Sequence, residues 1–221
     1  MTTVPEFYGR WAGLYDRIAT APGTGRWRRR AAERVAGPGD TVVEMGCGSG
    51  ANLPYLREQV GPGGRVLGVD VTGPLLDRAR RRVADYDNAA VVYGDARRPP
   101  VSADAVDCVV ATFVCGMFEA PEAVVERWCE LVGTGGSIVV MDATASGEWP
   151  GRALNPLFGA FTAAGDPSTD LRAVCLAPFA GGDELSVRVR NAHKTLTRRT
   201  CNRRYEAFAL GFVGLLSGQI E

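Results

Sequence analysis

The sequence has no excess of charge of either sign, because its 25 basic residues are matched by 25 acidic residues. Proteins dedicated to nucleic-acid binding normally carry a basic excess, so we expect no nucleic-acid partner. The sequence also lacks an apolar run of roughly 18 residues, the length that a membrane-spanning helix needs. We therefore expect no transmembrane segment, while a peripheral contact with a membrane stays open.

Histidine is almost absent, and no two cysteines form a CxxC pair. The chain has one histidine, His193, and six cysteines at positions 47, 108, 115, 129, 175 and 201. Zinc sites are built from closely spaced cysteines and histidines, so we expect no metal site. Residues 1–20 carry too many charges to form the apolar centre of a secretory signal. These absences predict a cytoplasmic protein whose cysteines stay reduced.

The composition is that of an ordinary globular protein, with 46% apolar and 23% charged residues in a chain of 221 residues. This length suits one domain with a sizeable core. We expect a single domain in four parts. They are a helical cap at the N-terminus (1–39), a ligand-binding core (40–144), a lid or insertion (145–184), and a C-terminal helix with edge strands (185–221).

Short apolar runs alternate with helical patterns through the middle of the chain. The runs predict strands at 41–45, 65–70, 89–95, 105–114 and 136–142, with helices at 5–19, 26–36, 52–60, 74–86, 121–132, 155–164 and 184–196. Such alternation is typical of βαβ units and a parallel sheet. Two further runs, 200–208 and 211–218, predict an antiparallel hairpin at the sheet edge. The expected fold is α/β, a Rossmann-like seven-stranded, mostly parallel sheet with helices on both faces.

A glycine-rich turn follows the first predicted strand. Its sequence is Glu44-Met45-Gly46-Cys47-Gly48-Ser49-Gly50, and a helix is predicted to begin near Asn52. Glycine permits a positive φ and a close approach of the backbone to a ligand. A helix N-terminus offers unpaired N–H groups and a partial positive charge. The turn therefore suits a nucleotide-like cofactor or the carboxylate of an amino-acid cofactor.

Polar side chains also stand where the next three strands end. Asp70 ends the second strand, Asp95 ends the third, and Thr112 and Phe113 end the fourth. Ligands bind at the carboxyl ends of the strands in open α/β sheets, so we expect these residues on one rim. A carboxylate at position 70 can accept hydrogen bonds from both hydroxyl groups of a ribose.

The stretch from Glu44 to Gly50 resembles the ExGxGxG motif of class I S-adenosylmethionine-dependent methyltransferases, and the span 40–142 is similar to their cofactor domain. The resemblance implies S-adenosylmethionine as the cofactor. It places Gly46, Gly48 and Gly50 under the methionine part, and Glu44 near its amino group. Cys47 belongs to the same cofactor-binding turn, and its side chain is interpreted as a small packing group and not as a nucleophile.

The same resemblance assigns the other end of the cofactor. It implies that Asp70 binds the ribose and that Val71 contacts the adenine. Asp95 would accept a hydrogen bond from the adenine amino group, and Ala96 would donate its backbone N–H. Thr112 and Phe113 would border the methionine part and the methyl group.

The opening segment resembles the N-terminal helix of methyltransferases that act on quinone precursors and phosphatidylethanolamine. The residues that carry this resemblance are Phe7-Tyr8 and Leu14-Tyr15-Asp16. That helix covers the cofactor, which makes Tyr15 the candidate cap residue. The expected acceptor is a small molecule or a lipid-like molecule, with a phospholipid amine or a quinone precursor favoured. No catalytic residue is assigned.

Other interpretations stay open at this point. The series Gly46-x-Gly48-x-x-Ala51 also satisfies the dinucleotide fingerprint of NAD(P)-dependent oxidoreductases, although the one lysine, Lys194, has Arg190 four residues before it instead of the tyrosine of short-chain dehydrogenases. A cofactor-binding scaffold without activity is a further alternative. His193 is either a general base or an ordinary histidine. The basic run 26–30 is either a solvated helix face or a contact with anionic lipid or phosphate.

Overall fold

The computed structural model describes residues 12–164 and 184–221, apart from some side chains, among them that of Tyr15. The predicted Phe7-Tyr8 part of the first helix and residues 165–183 of the predicted lid lie outside the described residues. The described part contains strands β1 (Thr41–Met45), β2 (Arg65–Asp70), β3 (Ala89–Tyr93), β4 (Cys108–Thr112), β5 (Ser137–Ala143), β6 (Thr200–Phe208) and β7 (Val213–Ile220). Its α-helices are α1 (Ala12–Ala19), α2 (Thr24–Val35), α3 (Leu53–Val60), α4 (Gly73–Val83), α5 (Pro121–Val132), α6 (Asn155–Ala164) and α7 (Glu184–Arg199).

The seven strands form one sheet in the order β3-β2-β1-β4-β5-β7-β6. Strands β1 to β5 are parallel, and β7 runs antiparallel to both β5 and β6. Central strands β1 and β4 are buried along almost their whole length, which is why they read as continuous apolar runs. The predicted fold class, a mostly parallel sheet with an antiparallel C-terminal hairpin, is confirmed.

Two apolar clusters cover the two faces of the sheet. One contains Trp128 and Leu196, from helices α5 and α7. The other contains Ala32 and Leu56, from helices α2 and α3. Neighbouring residues of a strand point to opposite faces, so Val42 and Val43 of β1 belong to different clusters. This arrangement fixes β1 and β4, and it positions the loops that follow them.

Some predicted boundaries differ from the observed ones, and backbone conformation gives the reason. Strand β4 starts at Cys108 because residues 103–105 form a 3₁₀ turn. It ends before Phe113, whose φ is 58°. Strand β7 starts at Val213 instead of residue 211, because Ala209, Leu210 and Gly211 all have positive φ and make the turn from β6. Helix α7 continues to Arg199, three residues beyond its predicted end at 196.

Among the described helices, none combines the length and the apolar character that crossing a bilayer requires. The division of the chain into one domain with four parts stays a prediction.

Candidate functional site

A large cavity opens at the carboxyl ends of the parallel strands. Its volume is about 1290 Å³, whereas pockets for small molecules typically measure roughly 300–1,000 Å³. The cavity is therefore larger than a typical small-molecule pocket. Of the residues named from the sequence, those that line it are Gly46, Cys47, Gly48, Asp70, Val71, Asp95, Ala96, Thr112 and Phe113. The structure brings together residues from four strand ends that are up to 67 positions apart in the chain, from Gly46 to Phe113.

The three glycines of the turn have different reasons to be glycine. All have positive φ, with values of 68° at Gly46, 53° at Gly48 and 76° at Gly50. A Cβ at Gly46 would stand 2.7 Å from Val114 Cγ2, and one at Gly50 would stand 2.9 Å from Leu53 Cδ1. A Cβ at Gly48 would meet no heavy atom closer than 4.0 Å. Neighbouring side chains therefore leave no room for a Cβ at Gly46 or Gly50, whereas the space beside Gly48 is open and faces the cavity.

The carboxylate of Asp70 holds the turn in place. One oxygen, Oδ2, accepts a hydrogen bond from the Gly48 N–H at 2.9 Å, and Oδ1 accepts one from the Thr72 N–H at 2.7 Å. Each carboxylate oxygen can accept a second hydrogen bond. Asp70 can therefore brace the glycine turn and still accept hydrogen bonds from a ligand in the cavity.

The loop after β3 carries Asp95 and Ala96. Arg97 donates to both carboxylate oxygens of Asp95, from Nε to Oδ1 at 3.0 Å and to Oδ2 at 2.9 Å, and from Nη2 to Oδ2 at 2.6 Å. The Arg97 guanidinium holds the pKa of Asp95 below its usual value. The Ala96 carbonyl accepts a hydrogen bond from Trp128 Nε1 at 2.8 Å, which ties this loop to α5. Asp95 thus reaches the cavity as an ionised group that already has a partner.

Glu44 is the most deeply buried acid of the rim, with 1% of its surface exposed. It is not among the residues that line the cavity, whereas Asn52 is, and Asn52 donates from Nδ2 to Glu44 Oε1. The second oxygen, Oε2, is buried and has no hydrogen-bond partner among the described residues. Burial raises the pKa of Glu44 to about 7, against the opposing effects of Asn52 and Arg28. Glu44 therefore changes its charge near neutral pH.

Asn52 and Arg28 are site residues that the sequence analysis missed. Asn52 also donates to Thr112 Oγ1 at 2.8 Å, and its Oδ1 accepts from Arg28 Nη1 at 2.7 Å. Arg28 is 6% exposed and lines the cavity. One amide thus links an arginine of α2 to the ends of β1 and β4.

The interpretation of the basic run 26–30 as a solvated helix face is wrong for Arg28. The buried residues of α2 are Arg28, Ala31, Ala32 and Val35, at helical spacings of three and four. Arg28 therefore lies on the buried face of the helix. That spacing is the sequence signal that would have found it.

Helix α1 is tied to the glycine turn by an ion pair. Arg82 Nη2 donates to Asp16 Oδ1 at 2.9 Å, and Arg82 Nη1 donates to the Ser49 carbonyl at 2.5 Å. Burial acts to raise the pKa of Asp16, but the hydrogen bonds with Ser49 and Arg82 outweigh it and the pKa is lowered. The segment predicted to cap the cofactor is thus docked on the turn. The side chain of Tyr15 lies outside the described part of the chain.

Three further sequence candidates have a definite place in the structure. Phe113 lines the cavity with a φ of 58° and donates its N–H to the Met141 carbonyl at 2.7 Å. The Cys47 thiol packs under Gly68, and burial raises its pKa, so it stays protonated and a poor nucleophile. His193 lies on α7 with its ring 6.4 Å from that of Tyr205, away from the cavity lining. Burial lowers the pKa of His193 to about 4.

Comparison with known proteins places this site in a family. A model of the methyltransferase domain matches residues 42–136, which include the glycine turn, Asp70, Asp95 and Thr112. A phosphatidylethanolamine N-methyltransferase from Cereibacter sphaeroides is 30% identical over 168 residues, covering 73% of this chain and 78% of the relative. A demethylmenaquinone methyltransferase from Symbiobacterium thermophilum is 35% identical over 85 residues, covering 37% of this chain and 34% of the relative.

A solved structure has the same fold. The structure of a SAM-dependent methyltransferase from Aquifex aeolicus matches with a TM-score of 0.62 at 16% identity, covering 96% of this chain and 98% of that one. The chain spans 27% to 78% of the length of the first curated relatives that it matches. These matches give no support to a nicotinamide-dependent oxidoreductase. By its sequence, its fold and the residues at its strand ends, the chain belongs to the family of S-adenosylmethionine-dependent methyltransferases.

Proposed function

We propose that this chain transfers a methyl group from S-adenosylmethionine to a small-molecule or lipid-like acceptor, and that the cavity at the strand ends holds both molecules. The observation that carries the proposal is the shared rim. A glycine turn with one open side and a carboxylate that braces it line one cavity. Behind the cavity-lining Asn52 lies a buried acid, Glu44, one oxygen of which has no hydrogen-bond partner among the described residues. These groups suit the amino-acid end and the ribose of the cofactor.

The proposed contacts follow the cofactor from end to end. Gly46, Cys47, Gly48 and Gly50 form the turn beneath the methionine part, with Glu44 balancing the charge of its amino group. Asp70 accepts from the ribose hydroxyls. The adenine lies between Val71, Asp95 and the Ala96 N–H. Thr112 and Phe113 border the methyl group, and Tyr15 contributes to the cap.

The cofactor supplies a methyl group that is already activated by its bond to a sulfonium sulfur. The protein's task is then to align the acceptor with that bond and to exclude water, which is worth roughly 7–11 kcal/mol at the extreme. An amine acceptor attacks with its lone pair, whereas a carbon or hydroxyl acceptor must also lose a proton. We therefore assign no fixed catalytic residue.

The acceptor proposed is a phospholipid amine or a quinone precursor. The two relatives named above carry those activities in their names, and the cavity exceeds the size of a typical small-molecule pocket. Exposed apolar side chains at Trp149, Leu157 and Leu210 offer a surface for peripheral contact with a membrane. We place the reaction in the cytoplasm, where the five described cysteines would remain the free thiols that the structure shows.

The test is transfer of a radiolabelled methyl group from S-adenosylmethionine to three acceptors offered separately. These are vesicles containing phosphatidylethanolamine, a demethylated quinone in detergent, and a water-soluble amine. Labelled lipid or quinone supports the proposal, and Asp70→Ala should lower the signal. Transfer only to the soluble amine would overturn the lipid-like acceptor.

A thermal shift assay separates the alternatives for the whole reaction. A ligand that binds the folded state raises the melting temperature. Stabilisation by S-adenosylhomocysteine but not by NADH is the expected result. Stabilisation with no transfer to any acceptor would favour a cofactor-binding scaffold.

A further inference from the structure

Four large apolar side chains are exposed in two segments that meet on the surface. Trp149 is 81% exposed, Leu157 70%, Leu210 50% and Leu154 44%. Tryptophan is highly buried on average in folded proteins, so a ring this exposed is unusual. Single exposed apolar residues need no explanation, whereas a contiguous group of them marks a site of interaction. We call these four residues the apolar patch.

Hydrogen bonds hold the two segments of the apolar patch together. Ser146 Oγ donates to the Leu210 carbonyl at 2.6 Å, which joins the segment after β5 to the turn between β6 and β7. The Ser146 N–H donates to Asn155 Oδ1 at 2.8 Å, and Asn155 Nδ2 donates to the Ser146 carbonyl at 3.0 Å. The rings of Phe158 and Phe212 pack with their centroids 5.1 Å apart. The apolar side chains are therefore presented by an ordered scaffold.

The apolar patch lies at the same edge of the sheet as the cavity. The turn between β6 and β7 stands beside the carboxyl end of β5, because Ala143 pairs with Val213. Strand β4 runs parallel to β5 and ends at Thr112, which lines the cavity. Ligands enter open α/β sheets at this edge. A surface that contacts the patch therefore lies on the side from which an acceptor reaches the cavity.

Basic side chains flank the apolar patch. Arg152 is exposed between the apolar residues, and Glu148 is the one acid of residues 146–164. Helix α2 packs beside the turn, with the Trp27 ring 6.1 Å from that of Phe208, the last residue of β6. This helix carries five arginines and one glutamate, and Arg26 in its first turn is exposed. Clustered arginines are attracted to anionic lipid headgroups, so the charge around the patch is complementary to such a surface.

We infer that the apolar patch and the arginines beside it dock the protein on a bilayer that contains anionic phospholipid. This inference rests on the proposed function, because a bilayer is where a lipid-like acceptor lies. Trp149 and the three leucines enter the boundary between headgroups and acyl chains, where tryptophan is favoured. Arg152 and Arg26 contact the lipid phosphates. Apolar contact and charge act together, as in other proteins that lie on a membrane surface.

The test is sedimentation of the protein with vesicles of phosphatidylcholine alone and with vesicles that also contain phosphatidylglycerol. The wild type should bind the anionic vesicles roughly tenfold or more tightly than the neutral ones. The double variant Trp149→Ser/Leu210→Ser should bind both kinds roughly tenfold or more weakly, because it loses apolar area that enters the bilayer. Arg26→Gln/Arg152→Gln should weaken binding to anionic vesicles alone by roughly 10- to 30-fold, since each arginine contributes about fivefold. Unchanged binding by either variant would overturn the inference.

Two variants control for the loss of an arginine and of an exposed aromatic ring elsewhere on the surface. Arg81→Gln removes an exposed arginine of α4. Tyr205→Ser removes a ring that is 61% exposed in the middle of β6. Both should bind vesicles as the wild type does. A loss of binding in these controls equal to that in the test variants would contradict docking through the apolar patch.

Tryptophan fluorescence tests the position of the patch directly. Phospholipids brominated in their acyl chains quench a tryptophan that enters the bilayer, so the wild type should be quenched on binding. Trp149→Phe should still sediment with the vesicles but should lose most of the quenching. Quenching that persists in Trp149→Phe would overturn docking through this surface. If a serine variant does not fold by circular dichroism, this measurement and the arginine variant still test the inference.

The outcomes separate this inference from the proposed function. A wild type that binds neither kind of vesicle, yet methylates phosphatidylethanolamine dispersed in detergent, would overturn docking and leave the proposed function standing. A wild type that binds anionic vesicles but methylates no acceptor would count against the proposed function alone. A wild-type dimer that Trp149→Ser/Leu210→Ser converts to a monomer would assign the patch to a second copy of the chain and overturn docking on lipid.

Discussion

Replacing Glu44 by glutamine should remove a specific part of the protein's dependence on pH. Burial raises the pKa of Glu44 in the folded state from 4.5 to about 7. A group whose folded pKa is raised stabilises the fold at low pH, because the folded state keeps a proton that the unfolded state loses. That contribution is fully present below about pH 4.5 and is lost as the pH rises through 7.

The size of the effect follows from the shift. Each pH unit between the two pKa values changes the free energy of unfolding by about 1.4 kcal/mol for this group. Between pH 5 and pH 8 the contribution of Glu44 should fall by about 2–3 kcal/mol. The Glu44→Gln side chain does not titrate, so the difference in stability between wild type and variant should change by that amount.

Other groups titrate in the same window, and the difference measurement removes them. Asp142 has a pKa raised to about 7 by burial and acts in the same direction. His193 has a pKa lowered to about 4, so its contribution has the opposite sign and is lost as the pH falls below 6.5. Both are present in wild type and variant. Their effects cancel in the difference, provided that they do not interact with Glu44.

The assay is urea unfolding at pH 5, 6, 7 and 8 for the wild type, Glu44→Gln and Glu58→Gln. Glu58 is exposed on α3 and controls for loss of one negative charge. A glutamine amide at the Oε2 position would lack a partner, which adds an offset that does not depend on pH. A difference between wild type and Glu44→Gln that stays constant from pH 5 to pH 8 would refute the reasoning.

Further predictions concern the turn and the residues beside it. Asp70→Ala should weaken S-adenosylhomocysteine binding by about 1–3 kcal/mol in calorimetry, and an unchanged affinity would count against the ribose assignment. Gly46→Ala should lower stability by roughly 1–3 kcal/mol, because its Cβ would stand 2.7 Å from Val114 Cγ2 at a φ of 68°. Gly48→Ala should lower cofactor affinity more than Gly46→Ala does, and it should lower the melting temperature less. The reverse order would contradict the open side of Gly48. Asn52→Leu should lower cofactor affinity, and Asn52→Asp should lower it by an amount that depends on pH. If cofactor affinity depends on pH in the same way in the two variants, that result would argue against the link to Glu44.

The sequence by itself determined the features that depend on neighbouring residues. The alternation of apolar runs with helical patterns predicted the strands that line the cavity, because strand and helix periods differ locally. The glycine turn and the acid at Asp70 could also be predicted, because a turn and the end of a strand are each determined by a few neighbouring residues. The hairpin of β6 and β7 was also predicted from its two runs and the turn between them.

Only the tertiary structure decided which side chains meet. Arg28 and Asn52 are 24 positions apart, and Asn52 and Thr112 are 60 apart, so no local pattern joins them. Strand β7 lies between β5 and β6 because it also pairs with β5, whose paired residues are at least 70 positions earlier in the chain. The charge of Glu44 likewise depends on burial by the whole fold rather than on its neighbours in the sequence. Contacts between distant segments form only when the sheet is assembled, and they determine how the cavity recognises its ligand.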